Sequence, residues 1–180
     1  FAMSHGCELR WTQHDSPLGP LLLIGGDAGL IGVSFLDGAG ADAQAAEIAD
    51  ARGATAIEQS TAPTALMHQL DAYFADSPRR FSVAIDWSQF EPFQRRVLQR
   101  CATIEFGDRI SYGELAEEIG APRAARAVGN ALRSNPITIV IPCHRVVRSD
   151  GSLGGYGGAD HEQRKATLLG LELSSAVAAA

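Results

Sequence analysis

The sequence predicts an α/β protein in two parts: an N-terminal domain that combines a small antiparallel sheet with helices, and a mainly helical C-terminal domain. Two short apolar runs, 20–24 and 30–36, flank Gly25-Gly26-Asp27, which is typical of a β-hairpin. Later, Pro92 precedes an apolar face at helical spacing, formed by Phe93, Val97 and Leu98. The segment between them, 86–91, is a candidate junction, so we place the domains at 1–88 and 89–180.

Three further elements are predicted in the N-terminal half. The alanine-rich segment 41–51 indicates a helix. Segment 64–74 has apolar side chains at helical spacing, and the alternation over 81–85 favours another strand. The helical positions of 64–74 are Leu66, Leu70, Tyr73 and Phe74. No pattern in this half indicates chemistry.

Composition limits the classes of protein and partner. Of 180 residues, 46% are apolar and 20% charged, as in folded globular proteins. No apolar run reaches the roughly 18 residues of a membrane span, so we expect no membrane partner. The start of the chain shows no signal peptide, and three widely spaced cysteines give no disulfide framework, so we expect a cytoplasmic protein. His5, Cys7 and His14 are close in sequence but irregularly spaced, and no metal site is predicted.

Charge is distributed unevenly along the chain. The net charge of −6 argues against a general nucleic-acid binder. Residues 1–90 hold 4 basic and 11 acidic side chains, whereas residues 91–150 hold 9 and 7. No acidic side chain lies between Gly120 and Asp150, and this stretch predicts a basic stripe that meets phosphates, although a solvated helix face would look the same. Its arginines are Arg123, Arg126, Arg133, Arg145 and Arg148.

A helix-turn-helix is predicted between residues 111 and 134. Ser111 and Glu114 have the spacing of a capping box, which opens a helix that Gly120 ends. Pro122 is expected to start a second helix, running to about Ser134. The small, basic face of this helix suits a groove of DNA, but an ordinary helical hairpin in a core is the alternative.

The most reactive side chain of the sequence is predicted at Cys143. The β-branched run 137–141 predicts a buried strand that ends before Cys143 and His144. A cysteine acts as a thiolate and needs a base, which His144 supplies if the chain turns there. Glu172, on a final helix predicted over 164–172, is the candidate carboxylate that orients the imidazole. A buried, inert thiol is the alternative.

Several ordered motifs extend this interpretation. Segment 141–147, Ile-Pro-Cys-His-Arg-Val-Val, resembles the active-site signature of the O6-alkylguanine-DNA alkyltransferases. Segment 110–116 resembles their first motif helix, and 124–129 with Ser134-Asn135-Pro136 resembles their recognition helix and the following turn. Gly155-Tyr156, Lys165, Leu168-Leu169 and Glu172 resemble the closing segment. Good resemblance covers about 93–172, whereas the first half matches only in general pattern, as at 16–20.

This resemblance implies a ribonuclease-H-like α/β lobe followed by a winged-helix-like DNA-binding domain. It implies direct, irreversible transfer of an alkyl group from O6 of guanine, and usually O4 of thymine, to the cysteine. No cofactor is implied, and each molecule acts once. The implied partner is double-stranded DNA with an alkylated base, met through the minor groove by a monomer. The implied compartment is the cytoplasm, at the nucleoid of a bacterium, or the nucleus of a eukaryote.

The resemblance also assigns roles to individual residues. Cys143 is the acceptor, His144 takes its proton through a water, and Glu172 holds His144. Asn135 braces the turn that carries Cys143, and Tyr112 supplies a hydroxyl near N3 of the base. The implied pocket is lined by Val146, Tyr156 and Gly157. Arg126 fills the gap left by the flipped base, on a DNA-binding face shared with Arg123, Ala125, Ala127, Gly129 and Asn130.

The chain departs from the family pattern in three places. Glu105 stands where proline is expected, which loosens that turn. Gly157 replaces a usual serine or alanine, which implies a roomier pocket, and segment 158–165 is about two residues longer than usual. Three rival functions remain: a cysteine hydrolase with many turnovers, a non-catalytic relative that only binds alkylated DNA, and a sequence-specific transcription factor. Relatives of the second kind lack the acceptor cysteine.

Overall fold

The computed structural model describes residues 7–38, 40–59, 64–75, 80–156 and 161–178. The chain divides into two compact units, 1–71 with 81–86 and 72–80 with 87–180. The first contains a four-stranded sheet with helices and the second is mainly helical, so the predicted α/β class is confirmed. Within the described part of the chain, no helix is both long and apolar enough to cross a membrane.

The first unit is organised around a four-stranded sheet, whose strands are β1 Cys7–His14, β2 Leu21–Gly26, β3 Gly29–Phe35 and β4 Ala54–Glu58. The strand order in the sheet is β3-β2-β1-β4. The predicted hairpin is confirmed, because β2 and β3 pair antiparallel. Two strands were not predicted, and since β4 runs parallel to β1, the sheet is mixed rather than antiparallel.

Helices α1 (Ala41–Asp50) and α2 (Thr64–Phe74) lie where the sequence predicts them. Ala41, Ala45 and Ala49 are spaced four apart and buried, so α1 packs a strip of small side chains into the core of the sheet. The strand predicted over 81–85 is wrong. Among the described residues this segment forms only an isolated bridge, between Ile85 and Leu30. The amide of Ser82 bonds the side chain of Gln69 and not the backbone of a neighbouring strand.

Four α-helices lie wholly in the described part of the second unit. They are α3 Pro92–Cys101, α4 Tyr112–Glu118, α5 Ala125–Arg133 and α6 Glu162–Ala178. Two-residue strands β5 (Ile110–Ser111) and β6 (Val146–Val147) pair parallel. β5 directly precedes α4, and β6 directly follows the segment Cys143–Arg145. Their pairing therefore brings the start of α4 close to that segment.

The predicted helix-turn-helix is present, with one boundary corrected. Ser111 and Glu114 form the complete capping box at the start of α4, and Gly120 follows the helix with a φ of 73°. The second helix begins at Ala125 rather than Pro122. The amide of Ala124 bonds the carbonyl of Ala121, so the fixed φ of Pro122 is used in a β-turn instead of a first helical turn.

The strand predicted over 137–141 is also wrong, although the segment is buried as expected. It forms consecutive turns, and Ile139 has a φ of 70°. Such a φ is rare for a β-branched residue and persists only where surrounding contacts enforce it. The contacts that enforce this turn come from Asn135, and they lead directly to Cys143.

Candidate active site

Cys143 begins a single turn of 3-10 helix, Cys143–Arg145, that follows the irregular 137–141 segment. The side chain is 5% exposed. Burial raises the pKa of this thiol, although the Asn135 hydrogen bond and the nearby Lys165 charge oppose the shift. At neutral pH the sulfur is therefore protonated at rest, and a base is needed before it can act as a nucleophile.

Asn135 connects both ends of the preceding turn to the sulfur. Its Oδ1 accepts a hydrogen bond from the amide of Ile137 at 3.0 Å, and its Nδ2 donates to the carbonyl of Ile141 at 3.1 Å. The same Nδ2 lies 3.2 Å from Sγ of Cys143, at donor distance. One buried amide side chain thus fixes the turn and supplies a donor that favours the thiolate.

His144 and Glu172 meet in the interior of the second unit. Nε2 of His144 lies 2.8 Å from Oε1 of Glu172, and both side chains are at most 1% exposed. Glu172 also accepts from Nε of Arg145 at 2.9 Å and from the amide of Gly107 at 3.2 Å. This carboxylate, 28 residues from His144 along the chain, is the orienting group that the sequence predicts only as a candidate.

The charge states of this pair follow from its contacts. Burial alone would raise the pKa of Glu172, but the hydrogen bonds from His144 and Arg145 outweigh it and hold that pKa at about 2. Burial lowers the pKa of His144, so the imidazole is neutral at pH 7. Because Nε2 faces an ionised carboxylate, it carries the proton, and Nδ1 is the basic nitrogen. Among the described residues, none bonds Nδ1.

Arg145 requires a correction. The sequence placed it in the predicted basic stripe, but it is only 4% exposed. Its guanidinium donates hydrogen bonds to both carboxylate oxygens of Glu172. Its NH1 also donates to the carbonyl of Ile104 at 2.6 Å. The guanidinium compensates a buried carboxylate, and a charge so enclosed cannot reach phosphates.

Lys165 is a buried cation to which the sequence gave no role. It is fully buried, and its Nζ donates to the carbonyl of Val146 at 2.6 Å. Burial lowers the pKa of Lys165 to about 8, against the opposing influence of Cys143. Since a lysine with that pKa is still mainly protonated at neutral pH, it places a positive charge beside the sulfur.

Tyr112 stands at the first position of α4, directly after the cap residue. Its hydroxyl lies 3.4 Å from the carbonyl of Gly155 and 3.4 Å from Nζ of Lys165. A Cβ on Gly154 would come within 2.8 Å of that hydroxyl, and Gly154 has a φ of 69°. Glycine at this position therefore lets the loop close over Tyr112.

The residues predicted to line a pocket are only partly described. Val146 is fully buried, and Tyr156 is 3% exposed with its ring edge-on to His144. Among the described residues, none bonds the hydroxyl of Tyr156. Gly157 lies outside the described residues, as do residues 158–160 of segment 158–165. Glu105, at the position where proline is expected, is exposed and pairs with Arg80.

The predicted DNA-binding residues share the outer side of α5 and the turn before it. Arg123, Arg126, Ala127 and Asn130 are exposed, while Ala125 and Gly129 are partly buried. The inward face is apolar and buried, formed by Val128, Ala131 and Leu132. Gly129 packs against the ring of Tyr112, where a Cβ would lie 3.8 Å from the nearest ring carbon. The helix that presents the arginines is therefore also in contact with the site.

No cluster of three or more His, Cys, Asp or Glu side chains able to hold a metal ion occurs within the ranges that the structure describes. The side chains of the site are a buried thiol, a neutral imidazole with its carboxylate, a buried ammonium group and two tyrosine hydroxyls.

Both halves of the chain match known protein families. The family described as 6-O-methylguanine DNA methyltransferase, DNA binding domain, matches residues 92–174, and the one described as 6-O-methylguanine DNA methyltransferase, ribonuclease-like domain, matches residues 9–87. The match thus includes the N-terminal half, where the sequence showed only a general pattern.

Individual relatives agree. The methylated-DNA–protein-cysteine methyltransferase of Mycobacterium leprae is 44% identical over 88% of this chain and 88% of its own length, and that of Mycolicibacterium paratuberculosis is 45% identical over 91% and 92%. A crystal structure of Mycobacterium tuberculosis OGT in complex with DNA matches with a TM-score of 0.77 at 39% identity, covering 93% and 94% of the two chains. This chain therefore belongs to the methylated-DNA–protein-cysteine methyltransferase family, as the motifs around Cys143 predict.

Proposed function

We propose that this protein repairs DNA by moving an alkyl group from O6 of an alkylated guanine to Sγ of Cys143, once per molecule. The observation that carries the proposal is the geometry of four buried side chains. Cys143 is buried beside the donor of Asn135, and Glu172 fixes His144 with Nδ1 as its basic nitrogen. Family membership supplies the class of substrate.

The reaction begins with activation of the thiol. The proton of Cys143 passes to Nδ1 of His144, by way of a water, and the resulting imidazolium is stabilised by Glu172. Asn135 and the ammonium group of Lys165 stabilise the thiolate that forms. The sulfur then attacks the alkyl carbon, so that an S–C bond forms while the C–O6 bond breaks and its electron pair stays on the purine.

Release of the purine needs a second group. Negative charge develops on guanine as the C–O6 bond breaks, and a donor aimed at it lowers the barrier. The hydroxyl of Tyr112 is the proposed donor to N3. The nearby Lys165 ammonium favours charge on that side of the site. Val146, Tyr156 and Gly157 are proposed to line the base pocket. Because the thioether is stable and none of the proposed roles regenerates the thiol, each molecule transfers one alkyl group. O4-alkylthymine is a second proposed substrate.

DNA engagement is proposed for the outer side of α5. The target atom lies within a base pair, so the nucleotide must leave the stack, at a cost of a few kcal/mol. Arg126 is proposed to take its place from the minor groove, with Arg123 at a phosphate. Small residues keep the helix close to the duplex, namely Ala125, Ala127, Gly129 and the short polar Asn130. A relative's crystal structure is described as a complex with DNA, which supports a duplex partner.

Three coarser features complete the proposal. Residues 1–88 and 89–180 are proposed as the two domains, since the family matches end at residue 87 and begin at residue 92. The protein is proposed to act as a monomer, without a cofactor, because each role above is filled by this chain. It is proposed to act in the cytoplasm, at the nucleoid of a bacterium or in the nucleus of a eukaryote, where DNA and a reduced thiol coexist.

The decisive test is the site and number of alkyl groups transferred. The protein is incubated with a duplex carrying O6-methylguanine, and trypsin then releases peptide 134–145, whose only cysteine is Cys143. We expect one methyl group on this peptide and none on peptide 101–109, which carries the buried Cys101. Cys7→Ser, at an exposed thiol in the first unit, serves as the matched control and should transfer normally. Methylation elsewhere, or steady release of a hydrolysed product over many turnovers, would overturn the proposal.

A further inference from the structure

Tyr73 completes the hydrogen bonding around Glu172. The sequence places this residue only among the positions at helical spacing in segment 64–74. The structure buries it to 1% exposure and puts its hydroxyl 2.8 Å from Oε1 of Glu172 and 3.5 Å from Nε2 of His144. It belongs to segment 72–80, which groups with the second compact unit.

The direction of the short bond is determined by the partner. Glu172 is ionised and can only accept, so the hydroxyl of Tyr73 donates to it. Burial, and then the charge of Glu172, raise the pKa of Tyr73 far above its usual range, so the hydroxyl stays protonated. Oε1 therefore receives three side-chain donors, from Tyr73, His144 and Arg145.

The ring of Tyr73 is held in place by aromatic neighbours. Phe106 packs edge-on at 5.9 Å between ring centroids, and Phe74 packs edge-on at 5.2 Å. The cation of Arg145 lies 5.7 Å above the ring of Phe106. The hydroxyl is thus positioned by a packed apolar cluster, which is how a second residue can hold a catalytic pair without touching the substrate.

We propose that Tyr73 is a positioning residue for alkyl transfer: its hydroxyl takes part of the charge of Glu172 and so keeps His144 neutral, with Nδ1 ready to accept the proton of Cys143. This inference rests on the proposed function of Cys143. It concerns a residue that the motifs around Cys143 do not include, on a helix more than sixty residues before it in the chain.

The sign of the effect follows from the two distances. A donor 2.8 Å from the carboxylate lowers the capacity of Glu172 to stabilise an imidazolium, which disfavours protonated His144. The hydroxyl oxygen, 3.5 Å from Nε2, would favour the imidazolium, but a contact of that length is weak. The shorter bond dominates, so loss of the hydroxyl should make His144 easier to protonate.

Other groups also face His144 and set its titration. Burial is the main reason that its pKa is lowered, and Glu172 opposes that shift while the positive charges reinforce it. The surrounding side chains are Glu172 and Lys165 on α6, Tyr73 on α2, Tyr156 on the loop before α6, and Arg145 and Cys143 beside it in the chain. Tyr73→Phe removes one hydroxyl from this set and leaves every charge unchanged.

The test is the pH dependence of alkyl transfer for Tyr73→Phe, measured as the single-turnover rate on free O6-benzylguanine. We expect an acid limb moved to higher pH by roughly half a unit to one unit, the shift that one ordinary hydrogen bond produces. Leu70→Val, which removes a methylene from the same buried face of α2, is the packing control and should scale the rate without moving the limb.

A second readout uses no reaction. Nitrogen NMR of His144 should show Nε2 protonated and Nδ1 unprotonated in the parent protein, with protonation of Nδ1 at higher pH in Tyr73→Phe. An acid limb and a titration that coincide with those of the parent would overturn the role of Tyr73 alone. Failure of the parent protein to alkylate Cys143 would instead overturn the proposed function, so the two outcomes are distinguishable.

Discussion

The outer side of α5 and the interior around Glu172 both rely on arginine, but in opposite physical settings. Arg123 and Arg126 are exposed and carry their charge in water, whereas Arg145 is enclosed and bonds a single carboxylate. Charges in water attract phosphates at a distance and are screened by salt. Charges in the interior are held at fixed geometry and are costly to leave unpaired. Binding and chemistry should therefore respond to different perturbations.

Cys143→Ser should give the largest difference between the effect on alkyl transfer and the effect on DNA affinity. Transfer should be abolished, because a serine hydroxyl at this site has no comparable nucleophilicity. Affinity for a duplex carrying O6-methylguanine should stay within a few-fold of the parent, since the sulfur offers little contact area. Paired rate and binding measurements check this, and a parallel loss of both would show that the two regions are not separable.

Glu172→Gln should give the largest loss of stability. It leaves the guanidinium of Arg145 buried without its carboxylate, at a cost of about 3–5 kcal/mol in the free energy of unfolding. Glu105→Gln is the matched control, because Glu105 pairs with Arg80 at the surface and should cost less than about 1 kcal/mol. Urea unfolding of both variants at pH 7 measures the difference, and equal losses would contradict the account of the interior.

The same carboxylate gives a pH dependence. The pKa of Glu172 is held at about 2, below its ordinary value of 4.5, so its contribution to stability is complete above that ordinary value. The contribution is lost as the pH falls towards 2. We expect the stability difference between parent and Glu172→Gln to shrink over that interval, as followed by unfolding at several pH values. A difference that stays constant would mean that Glu172 is not a depressed carboxylate.

Tyr112→Phe should affect chemistry with little effect on binding. The hydroxyl is proposed to bond the purine more strongly as charge develops on it, so its loss should slow transfer by about tenfold to a hundredfold. Both duplex O6-methylguanine and free O6-benzylguanine should be affected alike, because the step follows base extrusion. If only the duplex reaction is slowed, Tyr112 acts in DNA binding and not in the chemical step.

The smallest effect is expected at the surface. If about three to five phosphates are neutralised, log affinity should fall with log salt at a slope of about −3 to −5, and Arg123→Ala should reduce that slope by about one. Arg10→Ala, an exposed arginine on β1 that pairs with Asp27, is the control and should leave the slope unchanged. If the affinity of the parent protein does not depend on salt, the outer side of α5 is not the surface that binds DNA.

The two regions also differ in how far the sequence could predict them. The α4–α5 hairpin and its capping box follow from local signals, and were found. Arg145 was misplaced, because its partner lies 27 residues further along the chain and no local pattern reveals that contact. The role proposed for Tyr73 was not predicted for the same reason. A hydroxyl that serves a distant carboxylate has the same spacing as one that only packs.

The mispredicted strands have physical causes as well. Segment 137–141 has the composition of a buried strand, but Asn135 bonds the amide of Ile137 and the carbonyl of Ile141, which bends the segment into turns. β1 was not predicted, although Glu8 and Arg10 alternate with the buried Leu9 and Trp11 as expected for a strand. Polar side chains that bond backbone override the propensity of their neighbours.

The most direct test that DNA binding and chemistry reside in different regions is a pair of transfer rates for Arg126→Ala. One rate is measured on duplex O6-methylguanine and the other on free O6-benzylguanine. Arg126 is exposed on α5 and is proposed to fill the stack after base extrusion, a step that the free base does not need. The account predicts slower repair of the duplex and nearly normal reaction with the free base. If Arg126→Ala slows the free base as much as the duplex, Arg126 does not act in extrusion, and the division between an exposed binding helix and a buried chemical site is wrong.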